Sequence, residues 1–315
     1  MPTRSPSSTR TVAPRSLLDV DDLTPGELVG VLDRAVHFRD ALPPRDLLAG
    51  VPVLNLFFEA STRTATSFTL AEQRVGADII SFAPGASSLG KGETIADTAL
   101  TLRSIGVRVI VVRHPESGFA RRLAEGFDGH VVNAGDGTHA HPTQALLDLM
   151  TLRAEFGRFT GLKVAIVGDI LHSRVARSNI VGMRALGIDV TLVGPPTLLP
   201  DAFAGGGIAI ARDLDALLPE LDAVMMLRIQ RERISGALLP ALDDYTQRYQ
   251  LNRGRLRKLR DDAVILHPGP YNRGVELTDD VLDDPRSRYV AQVHNGVFVR
   301  MAVLDFLVNG APVAA

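Results

Sequence analysis

A chain of 315 residues, 45% hydrophobic and 22% charged, is long enough for about two domains of ordinary size, each with its own core. Its formal net charge of −2 supplies no field for recruiting nucleic acid or an anionic membrane, and no apolar run reaches the ~18–20 residues of a membrane span. The absence of cysteine excludes disulfides, thiolate metal sites and cysteine nucleophiles, and fits a reducing, cytoplasmic setting.

Residues 1–15 are rich in Ser, Thr, Pro and Arg, lack acids and have no apolar face, so they read as a disordered tail. Thr24-Pro25-Gly26-Glu27 combines a capping residue, a proline at the first helical position and a capping-box glutamate. It predicts a helix with Leu28, Val31, Leu32, Ala35 and Phe38 on its buried face, ended by Pro43-Pro44. The apolar run Val51 to Phe58 predicts a buried strand. Phe68, Ala71 and Val75 then recur at helical spacing until Gly76, a natural helix stop.

A short strand is expected over Ala77 to Phe82, a Gly/Ser-rich loop over Ala83 to Gly92, and a helix from about Thr94 to Gly106. The strand Val107 to Val112 runs into Arg113-His114-Pro115, followed by a helix near Phe119 to Gly126 and a strand at His130 to Asn133. Gly135-Asp136-Gly137 turns the chain into His139-Ala140-His141-Pro142-Thr143-Gln144, and the helix Ala145 to Phe156 closes at Gly157. After Gly161 the alternation restarts, with strands at Leu162 to Val167, Asp189 to Val193, Ala223 to Leu227 and Ala263 to Leu266, and a helix at Arg174 to Leu186. Residues 228–262 are strongly charged, a pattern that usually marks a solvated face. The segment Asn295 to Val308 predicts a final amphipathic helix.

Strands alternating with helices imply two α/β units built on doubly wound parallel sheets, with a border near residue 155. In such sheets ligands sit beyond the C-terminal ends of strands. Six polar clusters lie there: Ser61-Thr62-Arg63-Thr64, Arg113-His114-Pro115, His141-Pro142-Thr143-Gln144, His172-Ser173-Arg174, Arg228-Ile229-Gln230 and His267-Pro268-Gly269-Pro270. The first joins a helix N-terminus, with its unpaired N–H groups, to three hydroxyls and a forked cation, which suits phosphate. Taken singly, each has a plainer reading. His141 could cap the next helix, Arg113 could serve a strand-end ion pair, and the 267–270 segment could be only a rigid turn.

Taken together, the six clusters resemble the carbamoyltransferase family over residues 17–310. Ser61-Thr62-Arg63-Thr64 is similar to its carbamoyl-phosphate signature, and His141-Pro142-Thr143-Gln144 to the other half of that site. Ser88-Leu89-Gly90-Lys91-Gly92-Glu93, Arg228-Ile229-Gln230 and His267-Pro268-Gly269-Pro270 resemble the aspartate-using branch. The ornithine-using branch carries a His-Cys-Leu-Pro loop near the last position, and cysteine is absent here.

The resemblance implies transfer of the carbamoyl group of carbamoyl phosphate to the amine of L-aspartate, a step of pyrimidine biosynthesis, with neither cofactor nor metal. Residues 16–155, completed by a helix at 295–315, would bind carbamoyl phosphate, and residues 156–294 would bind aspartate. Ser61, Thr62 and Arg63 would hold phosphate. Thr64, Arg113 and His141 would face the carbonyl oxygen, and Gln144 with the backbone at Pro268, Gly269 and Pro270 would orient the carbamoyl NH₂. Arg174 and Arg228 would take the aspartate carboxylates, with Gln230 and Lys91 assisting.

The resemblance further implies a homotrimer in which Ser88 and Lys91 reach a neighbour's site, open to a regulatory or dihydroorotase-type partner. Where the family usually has an arginine after Ser-Thr-Arg-Thr, this chain has Ala65. That departure leaves two further readings, another amino-acid acceptor or a weakly active scaffold homologue. His139-Ala140-His141 also has the spacing of a metal pair, as in a metal-dependent hydrolase, but no third and fourth ligand completes it. Gly168-Asp169-Ile170-Leu171-His172 follows a strand without the Gly-x-Gly-x-x-Gly of a dinucleotide site.

Overall fold

The computed structural model describes residues 14–81, 94–230 and 242–310. Helix α1 (Pro25–Asp40) begins with the expected reciprocal cap: the Thr24 hydroxyl accepts from the Glu27 N–H and the Glu27 carboxylate accepts from the Thr24 N–H. Loss of such a cap costs about 1 kcal/mol. Its buried residues are Leu28, Val31, Leu32, Ala35 and Phe38, the face read from spacing. Glu27 also accepts from Arg15, whose backbone N–H donates to His130 Nδ1. Arg15, expected in the tail, is thus tied to the body of the protein.

The first sheet is built from β1 (Pro52–Phe57), β2 (Asp78–Ser81), β3 (Val109–His114) and β4 (His130–Asp136), all parallel, in the order β2-β1-β3-β4. Helices α2 (Thr62–Val75), α3 (Ile95–Ser104), α4 (Phe119–Gly126) and α5 (Pro142–Phe156) accompany it. Four consecutive residues of β1 and all of β4 are buried, as a strand covered on both faces requires. Gly76 and Gly157 end α2 and α5 at φ +77° and +68°, a backbone conformation that glycine adopts without steric cost.

The second sheet comprises β5 (Lys163–Val167), β6 (Asp189–Val193), β7 (Ala209–Ala211), β8 (Ala223–Met226) and β9 (Val264–Leu266), parallel in the order β7-β6-β5-β8-β9. Helix α6 (Arg174–Ala185) packs against α5 and joins the two halves. The last helix, α10 (Tyr289–Asn309), returns to the first half and packs on α1, α2 and α5. One apolar core therefore runs through both sheets, from Val53 and Val111 to Val164 and Ile166.

Three features differ from the sequence reading. Strand β7, Ala-Ile-Ala, is only three residues long, too short for a period-2 pattern. The charged stretch after residue 241 is not merely a solvated face. Helix α7 (Leu242–Tyr249) buries Tyr245 and Tyr249, α8 (Arg253–Leu256) buries Arg255, whose guanidinium pairs with Asp215 at 2.9 Å, and the one-turn α9 (Asp279–Leu282) buries Val281. Helix α10 starts six residues before Asn295. Val290 is 78% exposed and Gln292 is the buried residue of that turn, so the inward face there is polar and invisible to hydrophobic periodicity. No described helix is long and apolar enough to cross a membrane.

Candidate active site

In both sheets the strand order reverses beside the first strand of the unit, and the crevices beyond β1/β3 and β5/β8 face one another. Between them lies a cavity of about 670 Å³. From the first half it is lined by Ser61, Thr62, Arg63, Thr64, Arg113, His141 and Gln144, and from the second by Arg174, Arg228, Gln230, Gly269 and Pro270. Ser88 and Lys91 fall outside the described residues. The other residues expected to touch substrate, from Ser61 to Pro270, share this one space.

Ser61 and His141 stand at the N-cap positions of α2 and α5, and neither side chain caps its helix. The two helix N-termini therefore present backbone N–H groups to the cavity, an arrangement that attracts an anion. Among the described residues, five arginines line the cavity (Arg63, Arg113, Arg174, Arg228 and Arg300) against one acid, Glu59. Such a balance disfavours a cationic ligand and suits several negative charges at once.

His141 is buried, and that burial, reinforced by Arg113, Arg174 and Arg300, holds its pKa well below the usual imidazole value. It is a neutral imidazole whose backbone N–H donates to Ser178 Oγ at 2.9 Å. Its Nδ1 has no hydrogen-bond partner among the described residues. Arg113 donates through Nε to Glu59 Oε2 at 3.2 Å and through Nη1 to the Ala134 carbonyl at 3.3 Å. Arg174, first residue of α6, donates to the same Glu59 oxygen at 2.9 Å and to the Gly137 carbonyl at 3.3 Å. Gln230 donates to the His172 carbonyl at 3.1 Å.

Gly269 has φ +61°, and a Cβ there would lie 2.9 Å from the Tyr289 ring and 3.2 Å from Arg63 Nε. Only glycine brings the 267–270 backbone this close to the arginine of the opposite half. The Gly269–Pro270 peptide is cis.

The remaining candidates resolve differently. His139 turns its Nδ1 to Asp136 Oδ2 at 3.1 Å, away from the pairing with His141 that a metal would need. No group of three or more His, Cys, Asp or Glu suited to a metal occurs among the described residues. Asp169 is buried and accepts from the backbone N–H and ring of His172, a staple of the turn after β5.

Sequence reading passed over Glu59, Asp148, Gln292 and Arg300. Glu59 follows β1 directly, at the rim where the polar clusters gather. Arg300 lies inside an amphipathic helix and is buried in the cavity wall, its guanidinium 4.9 Å from the Phe68 ring centroid, three residues beyond Ala65 on α2. Burial, with the repulsion of Arg113, lowers its pKa to about 9. A cation is thus present close to the helix turn where Ala65 withholds one.

Two family models match the chain. The carbamoyl-phosphate-binding domain of aspartate/ornithine carbamoyltransferases matches residues 15–154, and the Asp/Orn-binding domain matches residues 160–307. The aspartate carbamoyltransferase catalytic subunit of Salinispora tropica is 51% identical over 303 residues, covering 94% of this chain and 98% of that protein. The catalytic subunit from Granulibacter bethesdensis is 52% identical over 296 residues, covering 92% and 94%. Among solved structures, Trypanosoma cruzi aspartate transcarbamoylase in complex with carbamoyl phosphate and aspartate superposes with a TM-score of 0.83 at 30% identity, covering 93% and 96%. Thermus thermophilus ornithine carbamoyltransferase gives 0.84 at 29% identity, covering 94% and 100%, so backbone shape alone does not separate the two acceptors. On sequence and structure together, the chain belongs to the aspartate/ornithine carbamoyltransferase family.

Proposed function

We propose that the chain is the catalytic polypeptide of an aspartate carbamoyltransferase, making N-carbamoyl-L-aspartate and phosphate for pyrimidine biosynthesis. The observation that carries this reading is the single cavity with Ser61–Thr64 and two helix N-termini on one wall and Arg174 and Arg228 on the other. Relatives about 50% identical that bear the aspartate name favour aspartate over ornithine as acceptor.

Ser61, Thr62 and Arg63 hold the phosphate, and Thr64, Arg113 and neutral His141 face the carbonyl oxygen. The aspartate amine attacks the carbonyl carbon, and negative charge gathers on that oxygen in the tetrahedral intermediate. Donors already in place stabilise it without reorganisation. Collapse breaks the bond to the phosphate oxygen, and the leaving phosphate takes the amine proton, so no separate enzymic base is needed. Arg174 and Arg228, with Gln230, hold the two aspartate carboxylates. Fixing both reactants in line converts a bimolecular encounter into an effectively unimolecular one.

In this reading residues 16–155 with the C-terminal helix form the carbamoyl-phosphate half and residues 156–294 the aspartate half. The active assembly is a cytoplasmic homotrimer in which Ser88 and Lys91 serve a neighbour's cavity. The test is a carbamoylation assay of purified protein of known solution mass, with aspartate and ornithine as rival acceptors. Carbamoylaspartate should form and citrulline should not. No product from either acceptor would instead favour the scaffold reading that Ala65 raises.

A further inference from the structure

Behind Gln144, one turn further along α5, the carboxylate of Asp148 is completely buried and does not line the cavity. Its Oδ1 accepts from Gln144 Nε2 at 2.9 Å and from Gln292 Nε2 at 2.7 Å, and its Oδ2 accepts from Asn179 Nδ2 at 2.8 Å. Gln292 in turn accepts the His267 backbone N–H at 2.9 Å through its own carbonyl oxygen. One carboxylate therefore gathers α5, α6, α10 and the loop after β9. These are the elements that bring Gln144 and the 267–270 backbone to the cavity.

An ionised carboxylate only accepts hydrogen bonds, so it dictates which end of each neighbouring amide it meets. Gln144 gives Asp148 its NH₂ and has its oxygen left for the cavity. We propose that Asp148 is a positioning residue for recognition of the carbamoyl group, holding Gln144 with its oxygen forward to accept from the carbamoyl NH₂. Through Gln292 it sets the 267–270 backbone beside the same NH₂. Burial raises Asp148 to about 6, against the pull of the Gln292, Asn179 and Gln144 donors, and lastly of Arg300, toward its ionised form. The inference rests on the reading that the cavity takes carbamoyl phosphate, and deepens it.

A carbamoyl group differs from an acetyl group in carrying N–H donors where the other has a methyl. A site whose acceptors are fixed in place disfavours the analogue that leaves them unpaired, whereas acceptors free to turn away discriminate less. Asp148 should therefore control the preference for carbamoyl over acetyl without touching either.

The experiment is calorimetric titration of the full chain with phosphonoacetamide, which carries the NH₂, and with acetonylphosphonate, which carries a methyl in its place. The ratio of the two Kd values is the readout, because general destabilisation leaves a ratio unmoved. The parent should favour phosphonoacetamide, and Asp148→Ala should shrink that preference at least about fivefold. Asp148→Asn should keep it within about threefold, since one side-chain oxygen remains for Gln144 and Gln292. Asn179, whose Oδ1 has no hydrogen-bond partner among the described residues, can turn over to accept from the new amide, giving up its 3.1 Å donation to the Val175 carbonyl. Should Asp148→Ala fail to fold, Asp148→Thr, which offers one hydroxyl for three amides, is read on the same scale. An undiminished preference in the alanine or threonine variant overturns the proposal, as does a loss in Asp148→Asn equal to that in Asp148→Ala. The titration does not involve the acceptor, so an enzyme using another amino acid leaves it valid. A parent that binds neither phosphonate contradicts the functional reading itself.

Discussion

Oε2 of Glu59, at the tip of the first sheet, lies 2.9 Å from Nη2 of Arg174 at the start of the second half's first helix. The side chain of Arg174 is 8% exposed and that of Glu59 21%, so the contact is shielded and charge-assisted. The same oxygen takes Arg113 Nε, which binds an arginine of the carbonyl wall and an arginine of the carboxylate wall to one anchor. Glu59→Gln keeps the shape and removes the charge. It should lower kcat at least about tenfold and raise the KM for aspartate, with a circular dichroism spectrum unchanged from the parent.

Residues on the two walls should fail in different ways. Arg63→Ala and His141→Ala should each lower kcat at least about tenfold, because each removes a donor whose role grows as charge develops. Arg228→Ala should mainly raise the KM for aspartate. Steady-state kinetics at saturating carbamoyl phosphate separates these outcomes.

Gly269→Ala tests the close approach of the two halves directly. The new methyl would meet the Tyr289 ring and Arg63 in a left-handed backbone conformation, so the loop must retreat. Weaker binding of phosphonoacetamide, by at least about tenfold, is the expected result, measured by calorimetry.

Glu72 gives the protein a pH-dependent stability. It is completely buried, its Oε2 accepts from Asn55 Nδ2 at 2.6 Å, its Oε1 has no hydrogen-bond partner among the described residues, and burial raises its pKa to about 7. The folded protein therefore holds a proton that the unfolded chain releases near 4.5. Stability from this group is full below about pH 4.5 and is lost as pH rises to about 7, a loss on the order of 3 kcal/mol. Glu72→Gln should match the parent at pH 4.5 and exceed it at pH 8 in chemical denaturation.

Legibility in the sequence followed the range of the interaction. The Thr24–Glu27 cap, the glycine stops at Gly76 and Gly157, and the polar residues after each strand are local features with known spacing, and they appear where the spacing puts them. The pairings that tune the cavity are not local. Glu59 and Arg174 are 115 residues apart, and Asp148 and Gln292 are 144 apart. Nothing in the spacing of Arg300 distinguishes it from a surface arginine of an amphipathic helix; only the packing of α10 onto α2 turns it inward over Phe68. The first turn of α10 escaped notice for the related reason that its buried residue, Gln292, is polar.

If the strand tips of the two sheets form one site for both reactants, a crystal structure with N-(phosphonoacetyl)-L-aspartate will show it. The phosphonate should lie on Ser61, Thr62 and Arg63 at the start of α2, the carbonyl oxygen should face Thr64, Arg113 and His141, and the two carboxylates should meet Arg174 and Arg228. A cavity left empty at saturating ligand, or a ligand bound with its carboxylates away from both arginines, would mean that the two sheets do not share a site.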